Sequence, residues 1–192
     1  MNTIDQVEVK NYYDLDGTLS SLNSTFDFIE AYLKYKKKPH RIFLAKAVNK
    51  VLRVTGYYDP YKHRSVRINI LFRGLKKSHL EDYYEKIYKK RFLNSLTPLG
   101  KELLHKALAT DVLITGCTEI PAKKIGELFN FKSVISTEFN YAKGKVVGIK
   151  TDTFGNLKRK YVSRCGEKMI YYTDDLPSEK HLVDIMDEIV EV

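Results

Sequence analysis

Asp14-Leu15-Asp16-Gly17-Thr18-Leu19 follows a short apolar run, Val7 to Tyr13, that reads as a β-strand. A strand that ends in Asp-x-Asp-Gly-Thr sets two carboxylates at the carboxyl edge of a parallel sheet, where open α/β folds bind their ligands. The two acids are not equivalent. Asp14, first out of the strand, can attack phosphorus as a carboxylate nucleophile. Asp16, two residues on and on the same side, can protonate a leaving alcohol and later activate water. Gly17 permits a tight turn and Thr18 can tie it down. The bland alternative is a strand followed by an ordinary Asp/Gly turn. Lys10 and Asn11 interrupt the apolar run and argue for a short strand.

Beyond this loop the period changes to helical. Phe26, Ile29, Tyr32 and Leu33 share a face, Ser24 or Thr25 is available as an N-cap, and Lys34-Tyr35-Lys36-Lys37-Lys38-Pro39 ends the helix. A second helix is predicted from His40 to Val54, with Leu44, Val48 and Val51 facing inward and Lys46, Lys50 and Arg53 as a basic stripe. Gly56 to Pro60 punctuates the chain, and two more helices follow near Tyr61 to Phe72 and Ser78 to Phe92. After Thr97-Pro98 the pattern alternates: helix Leu99 to Leu108, strand Val112 to Thr115, helix Ala122 to Phe129, strand Ser133 to Ser136. Phe139 to Ile149 reads as a hairpin around Ala142-Lys143-Gly144. A short helix at Leu157 to Arg164, a strand at Met169 to Tyr172, a helix at Ser178 to Met186 and a last strand at Ile189 to Val192 complete the chain. The fold class is therefore α/β, a Rossmann-like parallel sheet with an all-helical insertion: residues 1–20 and 96–192 as the core, 21–95 as the inserted module.

Order and spacing add to the first motif. The chain resembles the phosphoserine-phosphatase-like branch of the haloacid dehalogenase superfamily, whose members carry a helical cap between the first and second motifs. The resemblance covers nearly the whole length. It implies that Thr115, in Val112-Leu113-Ile114-Thr115-Gly116-Cys117-Thr118-Glu119, supplies a hydroxyl to the transferring phosphoryl group, with Gly116 and the next amides aimed at phosphate oxygens from a helix N-terminus. It implies a lysine that neutralises phosphoryl charge and holds Asp14. Lys158 fits that place, since it follows Gly155-Asn156 and opens a helix, whereas Lys143 and Lys145 sit at a hairpin tip. It also implies that Met169-Ile170-Tyr171-Tyr172-Thr173-Asp174-Asp175, an apolar strand ending in acids, completes a Mg2+ site with Asp14 and Asp16. Asp174 is the better ligand and Asp175 the second candidate. Many members place another aspartate where this chain has Ser178, so Asp175 or Glu179 is left to supply the outer contact. Gly17, Thr18, Thr115, Gly116 and Lys158 make up the implied phosphate-binding set.

The implied activity is a Mg2+-dependent phosphomonoester hydrolase with an aspartyl-phosphate intermediate, acting on a small anionic or head-group phosphate. Phosphoserine fits poorly. Its phosphatases place a glutamate just after the nucleophile loop for the substrate amine, and this chain has Asn23 there, with no carboxylate between Asp16 and Asp27.

Charge and composition bound the alternatives. The 192 residues are 43% hydrophobic and carry a net charge of +9. Residues 31–91 hold 18 Lys/Arg against 4 Asp/Glu, so the excess is concentrated in the insertion. Such a field attracts anions, whether phosphorylated metabolites, nucleic acid or acidic lipid head groups. Eight of the 14 tyrosines fall in the same stretch, which keeps open a phosphatase or binding protein for nucleic-acid ends. The departures around Asp175 keep open an interaction protein of the same fold with impaired chemistry. No run of roughly 18 to 20 apolar residues is present and the N-terminus lacks the basic-then-apolar order of a signal peptide, so a cytoplasmic protein is expected. Two cysteines, Cys117 and Cys165, agree with a reducing compartment, and the five scattered histidines offer no metal spacing.

Overall fold

The computed structural model describes residues 9–55, 59–106, 109–164 and 166–192. Six strands form one sheet: β1 (Val9–Tyr13), β2 (Val112–Thr118), β3 (Ser133–Ala142), β4 (Lys145–Thr151), β5 (Lys168–Thr173) and β6 (Glu188–Glu191), in the order β4-β3-β2-β1-β5-β6. All neighbours are parallel except β3 and β4, the arms of the predicted hairpin. The chain builds outward from β1 through β2 to β3, then crosses back to place β5 on the other side of β1. That reversal makes a switch point at β1, where the carboxyl ends of β1, β2 and β5 open a crevice.

Period-2 alternation assigns each central strand to two cores. Tyr13 and Leu113 enter the larger cluster, with Leu15, Leu19, Ile125 and Phe129, whereas Tyr12, Val112 and Ile114 enter the smaller one, with Met169, Tyr171, Leu182 and Met186. The polar interruption in β1 has a partner: the Asn11 backbone N–H and side-chain amide both donate to Asp111 Oδ1, at 3.4 and 3.2 Å. The strand expected from Val7 is described from Val9, and residues 7 and 8 lie outside the described residues.

Between β1 and β2 the chain is helical, in α1 (Ser24–Tyr35), α2 (His40–Val54), α3 (Pro60–Phe72), α4 (Lys77–Tyr83), α5 (Lys89–Leu93) and α6 (Pro98–Leu103). A single π-helical turn, Tyr84–Tyr88, joins α4 to α5, so the helix expected over Ser78 to Phe92 is one element with a local widening. The helices do not form a separate core. Phe28, Leu33, Phe72, Tyr84, Tyr88 and Phe92 are buried in the same cluster as Leu15 and Phe129, and each such side chain contributes roughly 1.5–3 kcal/mol by leaving water.

Several boundaries differ from those read in the sequence. Asn23, not Ser24 or Thr25, caps α1, its side-chain oxygen accepting from the Phe26 N–H, while the Thr25 hydroxyl oxygen accepts from the Thr118 N–H. On α2 the inner face is Ile42 and Ala45; Leu44 and Val51 point outward. The period holds and the phase does not, because the inner side of α2 pairs only Ile42 and Ala45 with the polar Asn49 and Arg53, so a hydrophobicity count favours the other face. β2 runs on to Thr118 and α7 (Glu119–Phe129) starts three residues earlier than expected. Ser133 to Ser136 and the first hairpin arm are one strand, β3, and the turn is made by Lys143 and Gly144, both at positive φ. The helix expected at Leu157 to Arg164 is a 3-10 helix over Gly155–Tyr161. The one expected at Ser178 to Met186 shrinks to a single 3-10 turn, Lys180–Leu182, because Glu179 turns into the interior. Gly56 of the expected break, the last two residues of the helix expected to end at Leu108, and Cys165 lie outside the described residues.

Of the insertion's tyrosines, Tyr35 is exposed, Tyr61 is half-buried, four pack into the core, and Tyr57 and Tyr58 lie outside the described residues. Tyr32, Tyr83, Tyr84 and Tyr88 are buried, and the rings of all but Tyr32 meet Phe28, tilted or edge-on. Among the described residues no helix is long and apolar enough to cross a membrane.

Candidate active site

The switch point holds a cavity of about 640 Å3 whose floor is Asp14, Asp16, Thr115, Gly116, Lys158 and Asp174. Asp14 leaves β1 with its N–H donating to the Tyr172 carbonyl of β5, at 3.0 Å, so the sheet itself fixes its position. Its Oδ1 accepts from the Leu15 N–H at 2.8 Å and its Oδ2 lies 2.9 Å from Lys158 Nζ. Leu15 and Leu19 are fully buried, and they anchor the loop while Asp14 and Asp16 face the cavity.

Gly17 is required twice. It sits at φ 88°, a left-handed conformation, and a methyl group there would overlap the Asp174 carboxylate. Thr18 secures the same contact: its hydroxyl donates to Asp174 Oδ1 at 3.1 Å and accepts from the Asp174 N–H at 3.0 Å. Gly17 and Thr18 are thus absent from the cavity lining. Their visible work is to hold Asp174, rather than to touch the space a phosphate would fill.

Asp16 Oδ1 accepts from the Ser24 N–H at 2.9 Å, at the first residue of α1. Burial pushes its carboxyl up to about 6; the Ser24 hydrogen bonds oppose the shift and the charge of Asp14 adds to it. A carboxyl that holds its proton nearer neutrality is suited to proton transfer in both directions.

Thr115 is buried at a bulge where β2 has three residues, Thr115 to Cys117, opposite one of β3. The bulge turns Thr115 and Gly116 toward the cavity. Its carbonyls are satisfied by Thr153, whose hydroxyl donates to Thr115 O at 2.7 Å, and Thr137, whose hydroxyl donates to Gly116 O at 3.0 Å. The amides after Thr115 belong to this bulge and not to a helix N-terminus, since α7 begins at Glu119; Cys117 N–H donates to Thr115 Oγ1. Cys117 is buried, which pushes its thiol well up and leaves it without nucleophilic character.

Lys158 is buried in a cage of acceptors. Its Nζ meets Asp14 Oδ2 at 2.9 Å, Glu179 Oε1 at 2.5 Å and the Tyr171 hydroxyl at 2.8 Å. Burial alone would lower its pKa, but Asp14, Tyr171 and Glu179 outweigh that and hold it well above the usual lysine value. Lys158 therefore stays charged. Glu179 is the residue that sequence reasoning placed elsewhere: it faces Lys158 in the interior. No signal in the sequence separates it from a solvated acid.

At the end of β5, Asp175 accepts from the Ser178 N–H at 3.2 Å and from the Ser178 hydroxyl. Asp174 and Asp175 both line the cavity, and among the described residues neither is in an ion pair with a basic side chain. Adjacent carboxylates left without a cation suit a hard ion with oxygen ligands. The described residues contain no group of three or more His, Cys, Asp or Glu arranged to hold a metal alone. Mg2+ needs no such cage, because it retains waters and takes oxygens from a bound phosphate.

The upper wall comes from the helices. Arg64 of α3, which the sequence did not single out, is paired with Asp152 at 3.0 Å, donates to the Gly116 carbonyl and lies over the Phe154 ring. Arg67 stacks on Phe26 with its guanidinium carbon 3.6 Å from the ring centroid, and pairs with Glu30 at 2.8 Å. Asn23, Asn49, Arg53, Tyr61 and His63 complete the wall, which contributes no carboxylate to the cavity.

A family model described as haloacid dehalogenase-like hydrolase matches residues 12–176. Among solved structures, a protein of unknown function from Bordetella pertussis Tohama I superposes with a TM-score of 0.71 at 15% identity, over 97% of this chain and 90% of that one. A phosphoserine phosphatase from T. onnurineus gives 0.53 at 18% identity, over 100% and 92%. A probable phosphoserine phosphatase from Vibrio cholerae gives 0.57 at 12% identity, and there 90% of this chain spans only 53% of the other. At these identities the likeness is one of fold. No curated protein matches the sequence.

Proposed function

The chain belongs to the haloacid dehalogenase-like hydrolase family, and from that premise we propose that it is a Mg2+-dependent phosphatase that forms an aspartyl-phosphate at Asp14. The observation that carries the reading is the placement of Asp14: sheet-fixed, 2.9 Å from a buried and charged lysine, at the floor of a cavity it shares with Asp16, Thr115 and Asp174. In the first step an Asp14 oxygen bonds to phosphorus as the ester P–O bond breaks, and Asp16 gives its proton to the departing alcohol. In the second step Asp16 takes a proton from water, the water oxygen bonds to phosphorus, and the Asp14–phosphorus bond breaks to release inorganic phosphate. Lys158, Thr115 and Gly116 orient the phosphoryl group, and the lysine offsets its charge. Lys158 is itself oriented by Glu179 and Tyr171. Asp14, Asp16 and Asp174 would hold Mg2+, with Asp175 as the further candidate, and the ion would supply charge neutralisation to the phosphoryl oxygens.

Residues 21–95 act in this reading as a helical cap on a core of residues 1–20 and 96–192, and the cap chooses the substrate. Its wall presents Arg53, Arg64, Arg67 and two asparagines without a carboxylate, which supports a small compound or head group with a further anionic or neutral polar group, and disfavours an ammonium such as that of phosphoserine. The test is phosphate release from an aryl phosphate, phosphoserine, sugar phosphates, a lipid phosphate and a 3′-phosphorylated oligonucleotide, with Mg2+ or with chelator. Metal-dependent turnover that favours an anionic ester over phosphoserine is the expected result. Absence of metal-dependent release from every ester would refute the phosphatase assignment.

A further inference from the structure

The face of α2 turned away from the cavity is apolar and exposed. Phe43, Leu44, Val51 and Val54 are 70%, 55%, 60% and 79% exposed, and Ala47 lies between them. At 100° per residue these five side chains fall within an arc of about 100°, one stripe along the helix. The opposite side packs inward through Ile42 and Ala45 and presents Asn49 and Arg53 to the cavity. Among the described residues no element covers the stripe, and the packed side of α2 is the opposite one.

We propose that this stripe is a docking surface for a bilayer of anionic lipids. Charge selects the occupant. Lys46 and Lys50 border the stripe on one flank, α2 contains four Lys/Arg and no acid, and Lys36, Lys37 and Lys38 stand exposed just before it. An exposed apolar stripe of Phe, Leu and Val bordered by lysines is the arrangement by which a helix lies in the interface plane, its apolar side chains among the acyl chains and its ammonium groups at the phosphates. A second copy of the chain is disfavoured, because a two-fold contact would bring the +14 segment of residues 31–91 against itself. Nucleic acid is disfavoured because the stripe is mainly aliphatic, with little aromatic surface for bases to stack on. Asn49 and Arg53 share α2 with the stripe, so docking would set the cavity's helical wall close to the lipid surface.

The experiment is co-sedimentation of the full chain with phosphatidylcholine vesicles, with and without phosphatidylglycerol, at low and high salt, alongside sedimentation velocity of the protein alone. The expected result is about tenfold stronger binding to the anionic vesicles, weakened by salt. The double variant Phe43→Asp/Val51→Asp should lose that binding while keeping its circular dichroism spectrum and its hydrolysis of a soluble aryl phosphate, since neither residue lines the cavity. Lys50→Glu should weaken it several-fold. Asp14→Asn should bind as wild type does, which separates docking from turnover. Wild type that ignores anionic vesicles, a double variant that binds them unchanged, or a concentration-dependent dimer abolished by the double variant would each overturn the proposal; the last would assign the stripe to a second copy.

Discussion

The floor and the wall of one cavity follow opposite charge rules. On the floor five acids, Asp14, Asp16, Asp174, Asp175 and Glu179, share one lysine. The wall carries three arginines and no acid facing inward. A floor with surplus negative charge repels a phosphate unless a cation accompanies it, while the wall turns arginines inward and keeps the acids that pair Arg64 and Arg67, Asp152 and Glu30, out of the lining. Under the proposed function the difference is a division of labour: chemistry on the floor, where charges are poised against each other, and selection at the wall, which turns no acid inward.

The strongest way to break this comparison is to remove the lysine. Lys158→Met leaves Asp14 and Glu179 facing each other in the interior, and truncating one partner of a buried pair typically costs about 3–5 kcal/mol. Denaturant unfolding should show a loss of that order, and phosphate release should fall by about a thousandfold or more. A variant with wild-type stability would mean that Glu179 and Asp14 do not depend on Lys158.

Asp16 sharpens the account of the floor through pH. Folding raises its pKa from 3.8 to about 6. The folded protein therefore holds this proton more tightly than the unfolded chain does, and its stability falls as pH climbs from 3.8 to about 6, the full cost persisting above that. Asp16→Asn, which keeps an oxygen for the Ser24 N–H, should stabilise the metal-free protein at pH 8 by roughly 2–3 kcal/mol and by less at pH 5. Thermal unfolding in chelator measures both, and the same variant should be inactive because it cannot give or take the proton. A gain that is equal at the two pH values would contradict the assignment.

The wall should respond more gently and in a different parameter. Arg67→Ala removes a cation stacked on Phe26 and paired with Glu30. KM for an anionic phosphomonoester should rise about tenfold with kcat for a small aryl phosphate within about twofold, since the lost contact binds ground and transition states alike. Steady-state kinetics on the two esters decides it. A fall in kcat for both would move Arg67 from selection to chemistry.

What the sequence discloses follows the same division. The floor is legible where a residue stands at the stop of an apolar run: Asp14 is read in this way from its own loop, while Thr115 and Asp174, after similar runs, are singled out by the resemblance to the family. Even there, tertiary demands are hidden. Nothing in the string indicates that Thr18 would embrace Asp174, that β2 would bulge at Thr115, or that Glu179 would fold inward to meet Lys158. The wall is read only as charge. Periodicity locates α2 and α3 but not the phase that sets Arg64 over Phe154 and turns Leu44 and Val51 outward, because amphipathic period fixes spacing while packing partners fix rotation. The helix expected at Ser178 to Met186 fails for a related reason: one buried ion pair, at Glu179, overrides a weak local preference.

The most direct test is to trap the intermediate. Wild type and Asp14→Asn are mixed with a substrate labelled in the phosphoryl group, in Mg2+, and quenched in acid. The account predicts acid-stable label on wild-type protein, mapping to the peptide that contains Asp14 and released by hydroxylamine, and none on Asp14→Asn. Turnover by wild type without labelled protein at any quench time, or equal labelling of Asp14→Asn, would contradict it.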